Sequence, residues 1–263
     1  SERFVQLVTG YGHSCGLTAA GDAFCWGSNV SGEIGDGTGT GSYGDGTTRR
    51  PSPVKVAGNL KFQHLAAGAN LTCGITRDGA AYCWGSNSGG RLGTTQVGVT
   101  PAVFAAAPTA VLGRVTFARI AISSGSVCAL TAAGAAYCWV GGTYNGDNLG
   151  PSVFSETPIP VAGGQQFRRL GAGSGGEECG VTTSDRLFCW GAGFPGVGDG
   201  TSLPKAVPTA VAPSLAFSTV NIGQNNACAQ SATSEFYCWG YGTGTGVSGN
   251  TVTVLVPTRL TIP

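Results

Sequence analysis

The sequence lacks methionine altogether, has only two histidines and carries little charge. Charged residues make up 10% of the chain, where an ordinary globular domain has about 25%. Fourteen basic residues against thirteen acidic ones leave a net charge of +1. Beyond the doublets Arg49-Arg50 and Arg168-Arg169 there is no basic run. A nucleic-acid binder needs a basic stripe to displace counterions, so no nucleic-acid partner is expected. No apolar stretch approaches the ~20 residues that carry a helix across a bilayer. With His13 and His64 alone there is no H-x-x-H metal motif, and no nucleophile–base pairing stands out. The composition therefore reads as non-enzymatic, with no cofactor. A start at Ser1 without methionine is what a mature, processed chain would show.

Glycine and cysteine are what the chain has in excess. Its 46 glycines are more than double the usual share of roughly 7%. Its ten cysteines form five copies of one unit: Cys, nine residues, Cys-Trp. The pairs are Cys15/Cys25, Cys73/Cys83, Cys128/Cys138, Cys179/Cys189 and Cys228/Cys238. Trp26, Trp84, Trp139, Trp190 and Trp239 follow the second members and complete the tryptophan count. A fivefold internal repeat thus spans the chain. Structural zinc prefers shorter cysteine spacings or added histidines, so the even, regular pattern points to disulfides over free thiols or metal. Disulfides imply an oxidising compartment, extracellular or periplasmic.

The wider repeat reads Pro-x-x-Val, a turn, Phe-x-x-Leu-x-x-Gly, a polar loop, Cys-x-Leu-Thr, a turn, then aromatic-Cys-Trp-Gly. Its prolines are Pro53, Pro108, Pro158, Pro208 and Pro257; its phenylalanines are Phe4, Phe62, Phe117, Phe167 and Phe217. Short segments between turn residues, without helical periodicity, predict an all-β fold with four strands per unit. Between the cysteines, Ala19-Ala20-Gly21 and its copies form a three-residue hairpin loop ending in a left-handed glycine. Centring that hairpin sets Cys15 opposite Cys25 at a Cα distance of about 4.5 Å, inside disulfide range. Asp185 and Ser234 replace the glycine in copies four and five, and serine tolerates that backbone region less well.

Pro53, Pro108, Pro158 and Pro208 each precede the next motif phenylalanine by nine residues. This phase suggests repeats at 1–50, 51–105, 106–155, 156–205 and 206–263, the first starting at its second strand and each later one with the proline strand. The chain would then form one closed domain over 1–263. The final strand, 257–262, would complete the first unit and close the ring, leaving no open sheet edge.

Phe62-Gln-His-Leu65-Ala-Ala-Gly68, Cys73-Gly-Ile-Thr76-Arg-Asp-Gly79, Tyr82-Cys83-Trp84-Gly85-Ser-Asn87 and Gly90-Arg-Leu-Gly93 resemble the regulator of chromosome condensation repeat. Copy one matches through Trp26-Gly27-Ser-Asn29 and Gly32-Glu-Ile-Gly35. The resemblance implies a five-bladed β-propeller with four antiparallel strands per blade. The best-known members have seven blades and lack the systematic cysteine pairs. Relatives of this kind include a chromatin-docked nucleotide exchanger, a plant photoreceptor and a secreted β-lactamase inhibitor, so the resemblance also allows a secreted enzyme inhibitor.

For a partner, the variable loops matter most. The distance from each Cys-Trp to the next motif proline is 27, 24, 19, 18 and 18 residues. These connections share one end of the blades with the loops before the first cysteines. The candidate binding residues on that end are Tyr11, His13, Tyr43, Arg49, Arg50, Asn70, Tyr144, Glu177, Glu178, Gln224, Asn225 and Asn226. Tyrosine and arginine lead because protein interfaces favour them. His64, in a strand, reads as packing, and Glu177-Glu178 as solvated loop. The Gly-Asp-Gly-Thr segments 35–38, 44–47 and 198–201 each offer one carboxylate; turn chemistry fits them better than calcium. Asn29-Val-Ser31 and Asn70-Leu-Thr72 are glycosylation sequons. The expectation is a protein-binding propeller, with a glycan as the alternative ligand.

Overall fold

A computed structural model describes residues 3–39, 48–94, 104–139, 155–173, 176–191, 197–211, 215–241, 246 and 253–261. The fold is all-β, with five four-stranded antiparallel sheets in a five-bladed propeller architecture. Blade one is β1 (Phe4–Thr9), β2 (His13–Thr18), β3 (Ala23–Ser28) and β4 (Arg49–Lys55). Blade two is β5 (Phe62–Gly68), β6 (Leu71–Thr76), β7 (Ala81–Ser86) and β8 (Phe104–Ala110). Blade three is β9 (Arg119–Ile122), β10 (Val127–Leu130), β11 (Ala136–Trp139) and β12 (Ile159–Pro160). Blade four is β13 (Phe167–Ala172), β14 (Glu177–Thr182), β15 (Leu187–Gly191) and β16 (Lys205–Ala210). Blade five is β17 (Phe217–Ile222), β18 (Asn226–Ser231), β19 (Phe236–Gly240) and β20 (Val254–Arg259). The chain divides into two compact units, Ser1–Ile122 with Ser155–Pro158, and Ser123–Phe154 with Ile159–Pro263.

The strand phase differs from the one expected. Each proline strand is the fourth strand of the blade before it, not the first of the blade after. Val54 pairs with Cys25, Thr109 with Cys83, Ile159 with Cys138, Thr209 with Cys189 and Thr258 with Cys238. The final strand therefore completes blade five, and blade one has its own fourth strand. The expected closure of blade one by residues 257–262 is overturned, and with it the repeat boundaries, which become 4–55, 62–110, 119–160, 167–210 and 217–259. The physical reason is that proline has no N–H to give a ladder, so an outer strand suits it best. The nine residues from proline to phenylalanine are the link between blades.

The cysteine hairpins form as expected. All five pairs are bonded within their own repeat, with a Cα separation of 4.1 Å in each. Gly21, Gly79 and Gly134 take positive φ at the hairpin tips, and Asp185 (61°) and Ser234 (67°) adopt the same conformation. In blades one, two, four and five the third strand shifts register across the tryptophan, between the second cysteine and Gly27, Gly85, Gly191 or Gly240. All four have φ above 100°. A Cβ on Gly85 would lie 2.4 Å from the Asn70 carbonyl oxygen, so only glycine fits.

The core lies between blades and is built from the same repeat positions each time. Phe62 and Leu65 of blade two pack with Cys15, Leu17, Ala23, Cys25 and Val56 of blade one. Phe167 of blade four joins Cys128, Leu130, Ala136 and Cys138 of blade three. The disulfides of blades one, three and four are thus both staples across a hairpin and part of the apolar surface that receives the next blade.

Candidate interaction site

The loops entering the second strands carry the polar chemistry. Two positions before the first cysteine, and one before, are polar in a blade-specific way. In blade one the earlier position is His13; in blade two the later one is Thr72. His13 is 3% exposed, and its Nε2 lies 2.8 Å from Thr72 Oγ1. Thr72 donates its single hydroxyl hydrogen to the Glu33 carbonyl at 2.8 Å, so the imidazole must be the donor to Thr72. That fixes the Nε2–H tautomer and leaves Nδ1 without a hydrogen-bond partner among the described residues. Burial lowers the His13 pKa to about 4, so the ring is neutral at pH 7. Trp84 Nε1 also donates to the Glu33 carbonyl, at 3.0 Å. The Glu33 carboxylate, fully buried, accepts from Ser28 Oγ at 2.8 Å and the Ser31 N–H at 2.6 Å.

The same step recurs between blades three and four. Ser126, two before its cysteine, donates to Glu178, one before its own. Ser123 Oγ lies 2.8 Å from Ser126 Oγ. Burial raises the Glu178 pKa, opposed by the hydrogen bonds from Ser126 and Ser123. In blade five the position equivalent to Thr72 and Glu178 is Ala227, and alanine has nothing to donate. Glu177 is 4% exposed, with Oε1 lacking a hydrogen-bond partner among the described residues. Burial, then the neighbouring Glu178 charge, raises its pKa to about 7. Glu177 and Glu178 are therefore buried groups, not the solvated loop expected.

The remaining candidates separate by exposure. Tyr11 is 91% exposed, while its N–H is held by the Ala69 carbonyl at 3.0 Å. Arg49, Gln224 and Asn225 are exposed; Asn70 and Asn226 are half-buried. Arg50 is committed to Asp36 at 2.7 Å and Thr38. Tyr43 and Tyr144 lie outside the described residues, as does the 44–47 segment. The other two Gly-Asp-Gly-Thr segments are turns: Asp36 and Asp199 each cap a threonine N–H two residues on and pair with Arg50 or Lys205. Asn29 is 1% exposed and donates to Asp36 and Thr38, so that sequon is inaccessible in the folded chain. Sequence reasoning missed Glu33, Thr72, Ser123 and Ser126. Their offset from the cysteines was the available signal for Thr72 and Ser126.

Neither polar chain is arranged for nucleophilic catalysis. The Thr72 hydrogen points away from His13, and Ser126 meets a carboxylate whose pKa is raised by burial, with no imidazole beside it. Among the described residues no three His, Cys, Asp or Glu side chains converge as a metal-binding group.

The Regulator of chromosome condensation (RCC1) repeat matches residues 4–33 and 62–91, and a second form of it residues 20–75. Residues 4–91, the first part of the propeller, match RCC1 repeats. Its sequence is 27% identical to the human E3 ubiquitin-protein ligase HERC2 over 216 residues, covering 80% of this chain and 4% of that protein. Its fold superposes on human WBSCR16 with a TM-score of 0.81 at 20% identity, covering 100% of this chain and 68% of the other. Against Prp20p from Saccharomyces cerevisiae the TM-score is 0.83 at 20% identity, covering 99% and 64%. The chain spans a small fraction of its curated relatives and about two thirds of its structural neighbours. No helix among the described residues is long and apolar enough to cross a membrane.

Proposed function

We propose that this RCC1-repeat chain is a non-catalytic interaction module that binds a partner protein through the loop end of its blades. The observation that carries the reading is Tyr11, a tyrosine 91% exposed on a backbone held by the neighbouring blade. A fixed aromatic at a rigid loop is what interface hot spots favour. Asn70 lies in the adjoining loop, and Arg49 follows from the third strand's partner across Ser28. The buried His13–Thr72–Glu33 chain beneath them holds those loops in place. Prp20p, described with its binding to Gsp1p and histones, is a precedent for protein partners on this fold. Five disulfides support an oxidising setting, extracellular or periplasmic. A repeated sugar pocket is less well supported: among the described residues only Tyr11 and Tyr241 are exposed tyrosines.

Crosslinking capture from the native source tests the reading. The oxidised chain should recover a defined protein, and Tyr11→Ala with Arg49→Glu should lose most of it. Equal recovery by both, or glycan-array binding in place of a protein, would overturn it.

A further inference from the structure

The near-zero net charge conceals a difference between the two ends of the blades. At the loop end of the first compact unit, charges are buried or matched. Glu33 is fully buried, and its carboxylate accepts from Ser28 Oγ and the Ser31 N–H. Arg50 pairs with Asp36 at 2.7 Å, and Arg91 is buried. Arg49 is the exposed charge there among the described residues.

The hairpin-tip end is different. Lys55 and Lys61 share the single carboxylate of Asp22, at 2.8 and 2.7 Å, and nearly half of each lysine side chain is exposed. Arg77, in the tip of blade two, donates through Nη2 to the Ala19 carbonyl of the tip before, at 3.2 Å. Arg114 lies in the link that leaves blade two, and Arg119 starts the first strand of blade three. Between them, the Phe117 N–H donates to the Gly79 carbonyl of the blade-two tip, which places both arginines at this end. Arg77, Arg114 and Arg119 are exposed, and none has an ion pair among the described residues. The remaining acidic group of this end, Asp78, already accepts from the Thr76 hydroxyl.

The second compact unit repeats the polarity. Arg186 follows the tip residue Asp185, and Arg169 occupies the repeat position of Arg119; both are exposed, and neither has an ion pair among the described residues. At its loop end Lys205 is held by Asp199 at 2.6 Å, while Glu177 and Glu178 are buried. In each unit the free guanidinium groups thus gather at the hairpin tips.

We propose that the hairpin-tip end of the blades docks an acidic polysaccharide, with Arg77, Arg114 and Arg119 taking its uronate or sulfate groups and Arg169 and Arg186 doing the same on the second unit. Arginine presents a planar fork that matches a carboxylate or sulfate with two parallel N–H donors. The cations are single and spaced along the surface, which suits a flexible polymer with its charges set apart on successive sugars. Duplex DNA, with one charge per about 1.7 Å, calls for a denser basic stripe. The oxidising setting read from the five disulfides is also where such polysaccharides are met. None of these arginines belongs to the loop end proposed for a partner protein, so the two readings fail separately.

Fluorescence anisotropy on the oxidised full chain tests this, with labelled alginate oligosaccharides as the uronate probe and heparin oligosaccharides as the sulfate probe. One or both should bind saturably at about 0.1 M salt and be released at about 1 M, where exposed charges are screened. Arg77→Glu with Arg114→Glu should weaken binding by roughly tenfold or more, with the circular dichroism spectrum and melting temperature unchanged. Arg77→Lys with Arg114→Lys should fall between, because the charge stays and the fork is lost. Arg49→Glu, at the loop end, should leave binding as it was. Failure of both probes to bind would overturn the proposal, as would equal binding by the charge-reversed chain. So would tighter binding to duplex DNA or to phosphatidylserine vesicles than to either oligosaccharide, or equal binding to neutral dextran.

Discussion

Ser234 occupies a hairpin tip with a φ of 67°, where three of the other four repeats have glycine. A β-carbon in that region costs about 1–2 kcal/mol. Ser234 is exposed and its turn is closed by its own N–H to the Ser231 carbonyl. Ser234→Gly should therefore stabilise the chain by about 1 kcal/mol, read as a rise in melting temperature. Buried ionisable groups give a second prediction. Glu177, with a folded pKa near 7, favours the folded state below its unfolded value near 4.5 and loses that contribution as pH climbs through 7. His13 and His64 act the other way. Burial pulls both to about 4, with Arg119 adding to the effect at His64. Their contribution is present above pH 6.5 and lost as pH falls through 4. The opposing slopes flatten the profile between pH 4.5 and 6.5. Glu177→Gln removes the rising-pH loss, at most about 3 kcal/mol, and chemical denaturation should then show stability increasing from pH 4 to 7.

At the scale of single elements, the cysteine hairpin was legible because everything that makes it is local. A loop of three residues, a left-handed position and two cysteines in register are all set within eleven residues. The proline strand was not legible in the same way. Its hydrogen bonds run to a strand 18–27 residues upstream, across the longest and least regular connections. Its distance to the next phenylalanine is constant, which made it look like part of the following unit. Constant spacing reported a fixed link between blades, not a hydrogen-bonded pairing. Glu177 and Glu178 were misjudged for a related reason. As an adjacent acidic pair they look solvated, yet the matching positions hold Leu71, Thr72, Ser126 and Val127, all of which are buried. Reading the pair against its repeat position would have placed it inside.

For the molecule as a whole, each hydrophobic cluster between blades includes cystine from the blade that receives the next. Each bridge closes a short loop and contributes about 2–3 kcal/mol. Five of them acting together should dominate the stability of so weakly charged a chain. Full reduction should lower the melting temperature sharply and release ten thiols; an unchanged melting temperature would mean that the interblade packing suffices alone. This dependence is also the physical argument for an oxidising environment, since reducing conditions would remove it.

The sequence by itself determined the repeat number, the all-β class, the five cystine hairpins and their tip conformations. Each depends on residues close together in the chain. Only the tertiary structure decided which sheet each proline strand joins, that His13, Glu177 and Glu178 are buried, and that Leu7 is exposed while Leu65 is covered. Those outcomes depend on which blade lies against which, and identical local sequence cannot report whether a neighbour is there to cover it.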